Sequence, residues 1–70
     1  MWSNGEINGY QFEVKHYETG SQYGINDGRV SKLTIYKDSR WVYNYDRGLD
    51  FDKLDEEGKK VYAQILEQYN

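Results

Sequence analysis

The chain has 70 residues, no cysteine and a net charge of -3, and 37% of its residues are hydrophobic. This length allows one domain at most, and the lack of cysteine excludes disulfide bonds. The negative charge argues against binding to duplex nucleic acid, because phosphate binding requires many lysines and arginines. No apolar run is long enough to cross a membrane, so we expect one soluble, intracellular domain spanning 1-70.

The first predicted element is a β-hairpin. The dipeptide Asn8-Gly9 favours a type I′ turn between strands at about 5-7 and 10-17. Alternation along the second strand predicts that one set of side chains faces the core and that Tyr17 lies on the opposite face. The core set comprises Tyr10, Phe12, Val14 and His16.

Residues 18-28 follow, with three glycines and short polar side chains that are typical of a loop. A mobile connection is the simpler interpretation of this segment. The alternative is that its backbone N-H groups and Arg29 bind a nucleotide or another small anion, although a Walker lysine and a following helix are absent.

The next strand is predicted at about 29-36, with Leu33 and Ile35 on one face. The other face would carry the alternate residues Val30, Lys32, Thr34 and Tyr36.

A further strand at about 41-46 repeats an aromatic residue at every second position. The spacing places Trp41, Tyr43 and Tyr45 on one face of the strand. Such a row can form a wall of the core or an exposed platform on which a base stacks, and both interpretations remain open.

After Gly48 the apolar residues change to helical spacing, which predicts a helix at about 52-68 with Asp52 as its N-cap. Gly58 inside this helix suggests close packing against the sheet, since glycine is otherwise unfavourable there. The predicted fold is α+β: a small antiparallel sheet of three or four strands followed by one C-terminal helix packed on one face.

Groups suited to catalysis or metal binding are few. His16 is the only histidine and ends a core-facing alternation, which favours a structural role. The acidic residues between Asp46 and Glu57 do not have the spacing of an EF-hand and are typical of helix capping and a solvated face. We therefore expect no enzyme activity, no cofactor and no metal.

Several segments together resemble a family of short uncharacterised proteins from phages and prophages of low-GC Gram-positive bacteria. The strongest similarity lies in Gly28-Arg29-Val30-Ser31-Lys32-Leu33 and in Trp41-Val42-Tyr43-Asn44-Tyr45-Asp46-Arg47-Gly48. The resemblance extends over nearly the whole chain and implies a cytoplasmic location in a bacterial host cell. No activity is assigned to that family, so the resemblance implies no functional residues.

Two functions are compatible with these observations. The first is a non-enzymatic interaction protein, such as a phage accessory or counter-defence factor, that binds a host protein. The alternative is a protein that sequesters a nucleotide-like ligand, acting as a homo-oligomer. Partner or ligand binding is predicted at the exposed aromatic and arginine residues Tyr17, Arg29, Tyr36, Trp41 and Arg47.

Overall fold

The computed structural model describes residues 1-70 and consists of one sheet and one helix. Its elements are β1 (Trp2–Ile7), β2 (Tyr10–His16), a 3-10 turn (Ile25–Asp27), β3 (Val30–Lys37), β4 (Arg40–Asp46), β5 (Leu49–Asp52) and α1 (Glu56–Tyr69). All strand pairs are antiparallel, in the order β1-β2-β3-β4-β5. The α+β class with a C-terminal helix is confirmed, but the predicted number of three or four strands is too low.

The strand that sequence reasoning missed is β5. It has four residues and two of them are aspartates, which are depleted in strands. Pairing with β4 nevertheless forms, because Arg47 adopts a left-handed conformation with φ of 58° and reverses the chain. The predicted helix start at 52 is therefore wrong, since Asp52 is paired with Tyr43 in the sheet.

Two other turns between strands follow the sequence closely. Asn8 and Gly9 have φ values of 51° and 83°, as a type I′ turn requires, which confirms the predicted hairpin. Asp38 and Ser39 also have positive φ, at 52° and 65°, and connect β3 to β4. Both two-residue connections keep consecutive strands adjacent in the sheet.

The core lies between the sheet and α1, and the helix covers one sheet face. From the helix it receives Val61 and Ile65, both completely buried, which confirms the predicted apolar stripe. The remaining buried hydrophobic side chains are Tyr10, Phe12, Val14, Ile25, Val30, Leu33, Ile35 and Tyr43. Burying each large side chain contributes about 1.5 to 3 kcal/mol.

Two β-bulges place residues on the opposite sheet face from the one predicted. In β3 the register passes from Lys32 to Val30, so Ser31 is the extra residue and Val30 is buried, contrary to its predicted place on the open face. In β4 the register passes from Tyr43 to Trp41, so Trp41 lies opposite Tyr36 and is 58% exposed. Trp41 is therefore separated from Tyr43, and the predicted single aromatic row does not form.

The N-cap of the helix lies three residues after the predicted N-cap Asp52, and the helix begins at Glu56. Asp55 is the N-cap, and its Oδ1 accepts a hydrogen bond of 2.7 Å from the backbone N-H of Gly58. A Cβ atom at Gly58 would lie 3.0 Å from the side chain of Leu54 and 3.3 Å from the ring of Tyr10. Close packing therefore explains this glycine, as the sequence suggested.

The phenol of Tyr10 connects the sheet to the helix cap. Its O-H donates to Asp55 Oδ1 at 2.5 Å, while Lys37 Nζ lies 4.4 Å from the centre of its ring. The hydrogen bond to Asp55, together with burial and the carboxylate charge, raises the pKa of Tyr10 to about 12. The same bond, followed by that from Gly58, lowers the pKa of Asp55.

This contact predicts a loss of stability in alkali. Because the fold raises the pKa of Tyr10 from 10.0 to about 12, the neutral phenol contributes its full stabilisation below pH 10.0, and that contribution is lost as pH rises through about 12. We expect the wild type to be more stable than Tyr10→Phe at neutral pH and to lose that advantage by about pH 12. Urea unfolding of both proteins measures the difference, and an advantage independent of pH would contradict the prediction.

Candidate anion-binding site

The face of the sheet opposite α1, which we call the open face, carries a polar recess at one end. Its volume is about 370 Å³. Three cationic side chains, two tyrosines and two serines line it: Lys15, Lys32, Arg47, Tyr17, Tyr23, Ser21 and Ser31. This recess, called the basic recess below, combines positive charge with hydroxyl donors and aromatic rings.

Two of the cations are cross-strand neighbours on adjacent strands of the open face. Lys15 on β2 is the direct partner of Lys32 on β3, an arrangement in which like charges are destabilising. Lys32 also lies opposite Asp46 on β4, and Lys32 Nζ is 3.6 Å from Asp46 Oδ1. Lys15 forms no ion pair, so its charge is not neutralised by the protein.

The third cation comes from the turn between β4 and β5. Arg47 has left-handed backbone geometry, and its N-H donates to the carbonyl of Ser31 at 2.9 Å. This hydrogen bond joins the turn to the bulge of β3. The guanidinium carbon of Arg47 lies 4.3 Å from the ring centre of Tyr23, within the range of a cation-π contact.

Tyr23 belongs to the loop 18-28, which is hydrogen-bonded both internally and to the sheet. The Tyr45 O-H donates to the carbonyl of Tyr23 at 2.9 Å, and the Tyr23 N-H donates to Ser21 Oγ at 3.2 Å. Within the loop, the Ser21 N-H donates to the carbonyl of Gly28 at 3.1 Å. These bonds place Ser21 and Tyr23 at the rim of the basic recess.

The side chain of Asn70 holds the base of the same loop. Its Oδ1 accepts from the Val30 N-H at 2.9 Å, and its Nδ2 donates to the carbonyl of Ile25 at 3.0 Å. A Cβ atom at Gly28 would collide with this amide. The end of α1 is thereby coupled to the loop that forms one wall of the basic recess.

Tyr17 forms another wall, just after β2. Lys15 Nζ lies 5.7 Å from its ring centre. Interaction with Lys15, and to a lesser degree with Ser31 and Lys32, lowers the pKa of the Tyr17 phenol. The positive surroundings that favour the phenolate would equally favour a bound anion.

The structure separates the five residues predicted from sequence into three places. Tyr17 and Arg47 meet in the basic recess. Arg29 lies beyond Tyr17 in a different recess with Met1, His16 and Glu18, while Tyr36 and Trp41 form a cross-strand pair elsewhere on the open face.

Five of the seven residues that line the basic recess are not among the binding residues predicted from sequence: Lys15, Ser21, Tyr23, Ser31 and Lys32. The alternation of β2 places Lys15 on the open face with Tyr17, and that signal was available. Predicting that Lys15 pairs with Lys32 requires the register between β2 and β3, which local sequence patterns do not determine. Ser21 and Tyr23 belong to the loop 18-28, for which the sequence offers anion binding with Arg29 as an alternative, but Arg29 does not line the basic recess.

The chain contains no group of three or more His, Asp or Glu side chains positioned to hold a metal ion. Its helix is too short and too polar to cross a membrane.

Comparison with protein families gives a match over the whole chain. The model of an uncharacterised family, described as a domain of unknown function (DUF7678), matches residues 1–70. The chain belongs to the DUF7678 family. No curated protein and no solved structure matches it. Membership of DUF7678 confirms the predicted similarity to uncharacterised proteins but carries no information on phage origin.

Proposed function

We propose that this DUF7678 protein is a non-enzymatic binding protein that holds the phosphate group of a small nucleotide-like ligand in the basic recess. The observation that carries this proposal is the convergence of Lys15, Lys32 and Arg47 in a protein whose net charge is -3. Cations that lie close together in a chain of net negative charge are stabilised when a bound anion neutralises them.

Phosphate suits the recess in charge and in hydrogen bonding. Asp46 offsets part of the positive charge on Lys32, which leaves Lys15 and Arg47 to balance an added anion. Ammonium and guanidinium groups form short, charge-assisted hydrogen bonds to phosphate oxygens, and arginine does so with two parallel donors. The hydroxyl groups of Tyr17 and Ser21 supply further donors at the rim.

Inorganic phosphate tests the basic recess without a base or sugar. In a two-dimensional NMR titration we expect saturable shifts at Lys15, Lys32 and Arg47, weakened by added salt. Removing one charge-assisted hydrogen bond costs about 1.5 to 3 kcal/mol, so Lys15→Gln and Arg47→Gln should each weaken binding at least about tenfold. Lys59→Gln is the matched control, because Lys59 is exposed on α1 and remote from the recess.

Two results would exclude this function. One is an equal loss of binding in Lys59→Gln and Lys15→Gln, which would indicate diffuse electrostatic attraction. The other is the absence of saturable shifts around the recess while the wild type remains folded.

A second candidate is the interaction protein predicted from sequence, a phage accessory or counter-defence factor that binds a host protein in the bacterial cytoplasm. Supporting it, Trp41 is 58% exposed opposite Tyr36, away from the basic recess. Tryptophan and tyrosine are enriched at protein interfaces. Affinity capture from a bacterial host with wild type and Trp41→Ala tests it: a host protein retained only by the wild type supports this function, and identical capture contradicts it.

A further inference from the structure

A second recess adjoins the basic recess on the open face. Its volume is about 370 Å³, and Trp2, Ser3, Asn4 and Glu13 line it. The indole of Trp2 is 58% exposed. We call this the tryptophan recess.

Lys15 lines the basic recess and is the neighbour of Trp2, which lines the tryptophan recess. It lies directly opposite Trp2 in the pairing of β1 with β2, and its Nζ is 5.8 Å from the centre of the indole ring. On its other side the same Nζ is 5.7 Å from the ring centre of Tyr17. One ligand that extends from the phosphate position past Lys15 would therefore reach Trp2.

The polar groups of the tryptophan recess differ from those of the basic recess. Glu13 lies opposite Asn4 in the pairing of β1 with β2. It is two residues along β2 from Lys15, so roughly 7 Å separates the backbone positions of Glu13 and Lys15. The Glu13 carboxylate forms no hydrogen bond or ion pair within the protein. A carboxylate only accepts hydrogen bonds, so its complement is a ligand edge with adjacent N-H donors.

Among the common bases, guanine presents such an edge. Its N1-H and its exocyclic amino group point the same way and can donate to the two oxygens of one carboxylate. Adenine has an acceptor at N1 and would place it against the negative charge of Glu13. The purine face would stack on the indole of Trp2, an interaction available to every base.

The charges also orient the ligand. Cations concentrate around Lys15, Lys32 and Arg47, whereas Glu13 marks the other end. A nucleotide has its negative charge at the phosphate and its donors on the base. The two ends of the open face are complementary to the two ends of a guanine nucleotide.

We propose that the tryptophan recess is a base-binding site, in which guanine stacks on Trp2 and donates to Glu13 while the phosphate occupies the basic recess. This assignment of the ligand rests on the function proposed above. It adds a specificity site in which Trp2 contributes affinity for any base and Glu13 selects guanine.

The test uses Trp41→Phe as the parent protein, because Trp2 is then the only tryptophan. Titration with GMP should quench the fluorescence of Trp2. We expect affinity to fall in the order GMP, IMP, AMP, since IMP lacks the amino donor and AMP lacks both matching donors. Calorimetry measures binding to Trp2→Ala, and this substitution should weaken the binding of every nucleotide roughly 5- to 150-fold.

Glu13→Gln separates base selection from phosphate binding. A glutamine amide can donate to adenine N1 and accept from the adenine amino group. The affinity of this variant for GMP should therefore fall roughly 5- to 150-fold, and its affinity for AMP should rise. Its affinity for inorganic phosphate should not decrease, because Glu13 lies outside the basic recess.

The outcomes distinguish the two proposals. Equal affinities for GMP and AMP, with phosphate binding intact, would overturn the guanine site and leave the phosphate function standing. Failure of both inorganic phosphate and GMP to bind the folded protein would overturn both. An unchanged preference for GMP in Glu13→Gln would also exclude Glu13 as its determinant.

Discussion

Replacing Ile65 by alanine should lower the free energy of unfolding by about 2 to 5 kcal/mol. Ile65 is completely buried on the side of α1 that packs against the sheet, and the small side chain would leave a cavity there. A domain of this size has a total stability of roughly 4 to 10 kcal/mol. The substitution would therefore remove a large part of it.

Urea unfolding followed by far-UV circular dichroism measures this effect. Leu49→Ala is the control, because Leu49 is 61% exposed in β5 and its truncation should change stability by about 0.5 kcal/mol or less. Equal losses in the two variants would contradict the position of the core between α1 and the sheet.

The contrast between Ile65 and Leu49 illustrates what the sequence can predict. The helical spacing of Val61 and Ile65 has one geometric interpretation, and α1 follows it. Likewise, Asn8-Gly9 requires a turn that few other dipeptides form so readily. Leu49 and Phe51 alternate with aspartates over four residues, which is too short a pattern to distinguish a strand from the beginning of a helix.

Local sequence patterns do not predict the bulges, for a different reason. Ser31 and Val42 are extra residues only with respect to their partner strands, so the cause of each bulge lies in the pairing. One extra residue reverses the faces of the residues on one side of it relative to the other, which explains the errors at Val30, just before Ser31, and at Trp41, just before Val42. Alternation along a single strand cannot reveal such a reversal.

The candidate site depends on pairing even more strongly. Alternation places Lys15 on the open face, but its opposition to Lys32 is a property of the register between β2 and β3. Tyr23 approaches Arg47 only because the loop 18-28 folds back toward the turn after β4. Tyr17 and Arg47 were identifiable as exposed aromatic and cationic residues, whereas their common recess was not.

The loop 18-28 is thus the part of the site farthest from prediction, and Asn70 is the residue that most directly fixes it. Asn70→Ala should leave the Val30 N-H without its partner and remove one of two hydrogen bonds to the Ile25 carbonyl, which also accepts from the Gly28 N-H. Val30 is buried, and an unpaired buried backbone group costs about 1 to 3 kcal/mol, to which the lost hydrogen bond to Ile25 adds about 0.5 to 1.5 kcal/mol. We expect a loss of about 2 kcal/mol or more in the free energy of unfolding, measured in urea.

Asn70→Asp separates the two hydrogen bonds. The carboxylate can still accept from the Val30 N-H but cannot donate to the Ile25 carbonyl, so its loss of stability should be smaller than that of Asn70→Ala. Gln68→Ala controls for truncation near the end of α1, because Gln68 is exposed. Equal stability of Asn70→Ala and Gln68→Ala would show that the amide does not hold the loop.

The same variants test whether the loop shapes the basic recess. Ser21 and Tyr23 lie on the segment that Asn70 secures, whereas Lys15 lies on β2, to which the Asn70 side chain forms no hydrogen bond. Asn70→Ala should therefore accelerate amide hydrogen exchange in 18-28 and weaken binding of inorganic phosphate, while exchange in β2 changes less. Faster exchange with unchanged phosphate affinity would confine the site to the strand cations and the turn at Arg47.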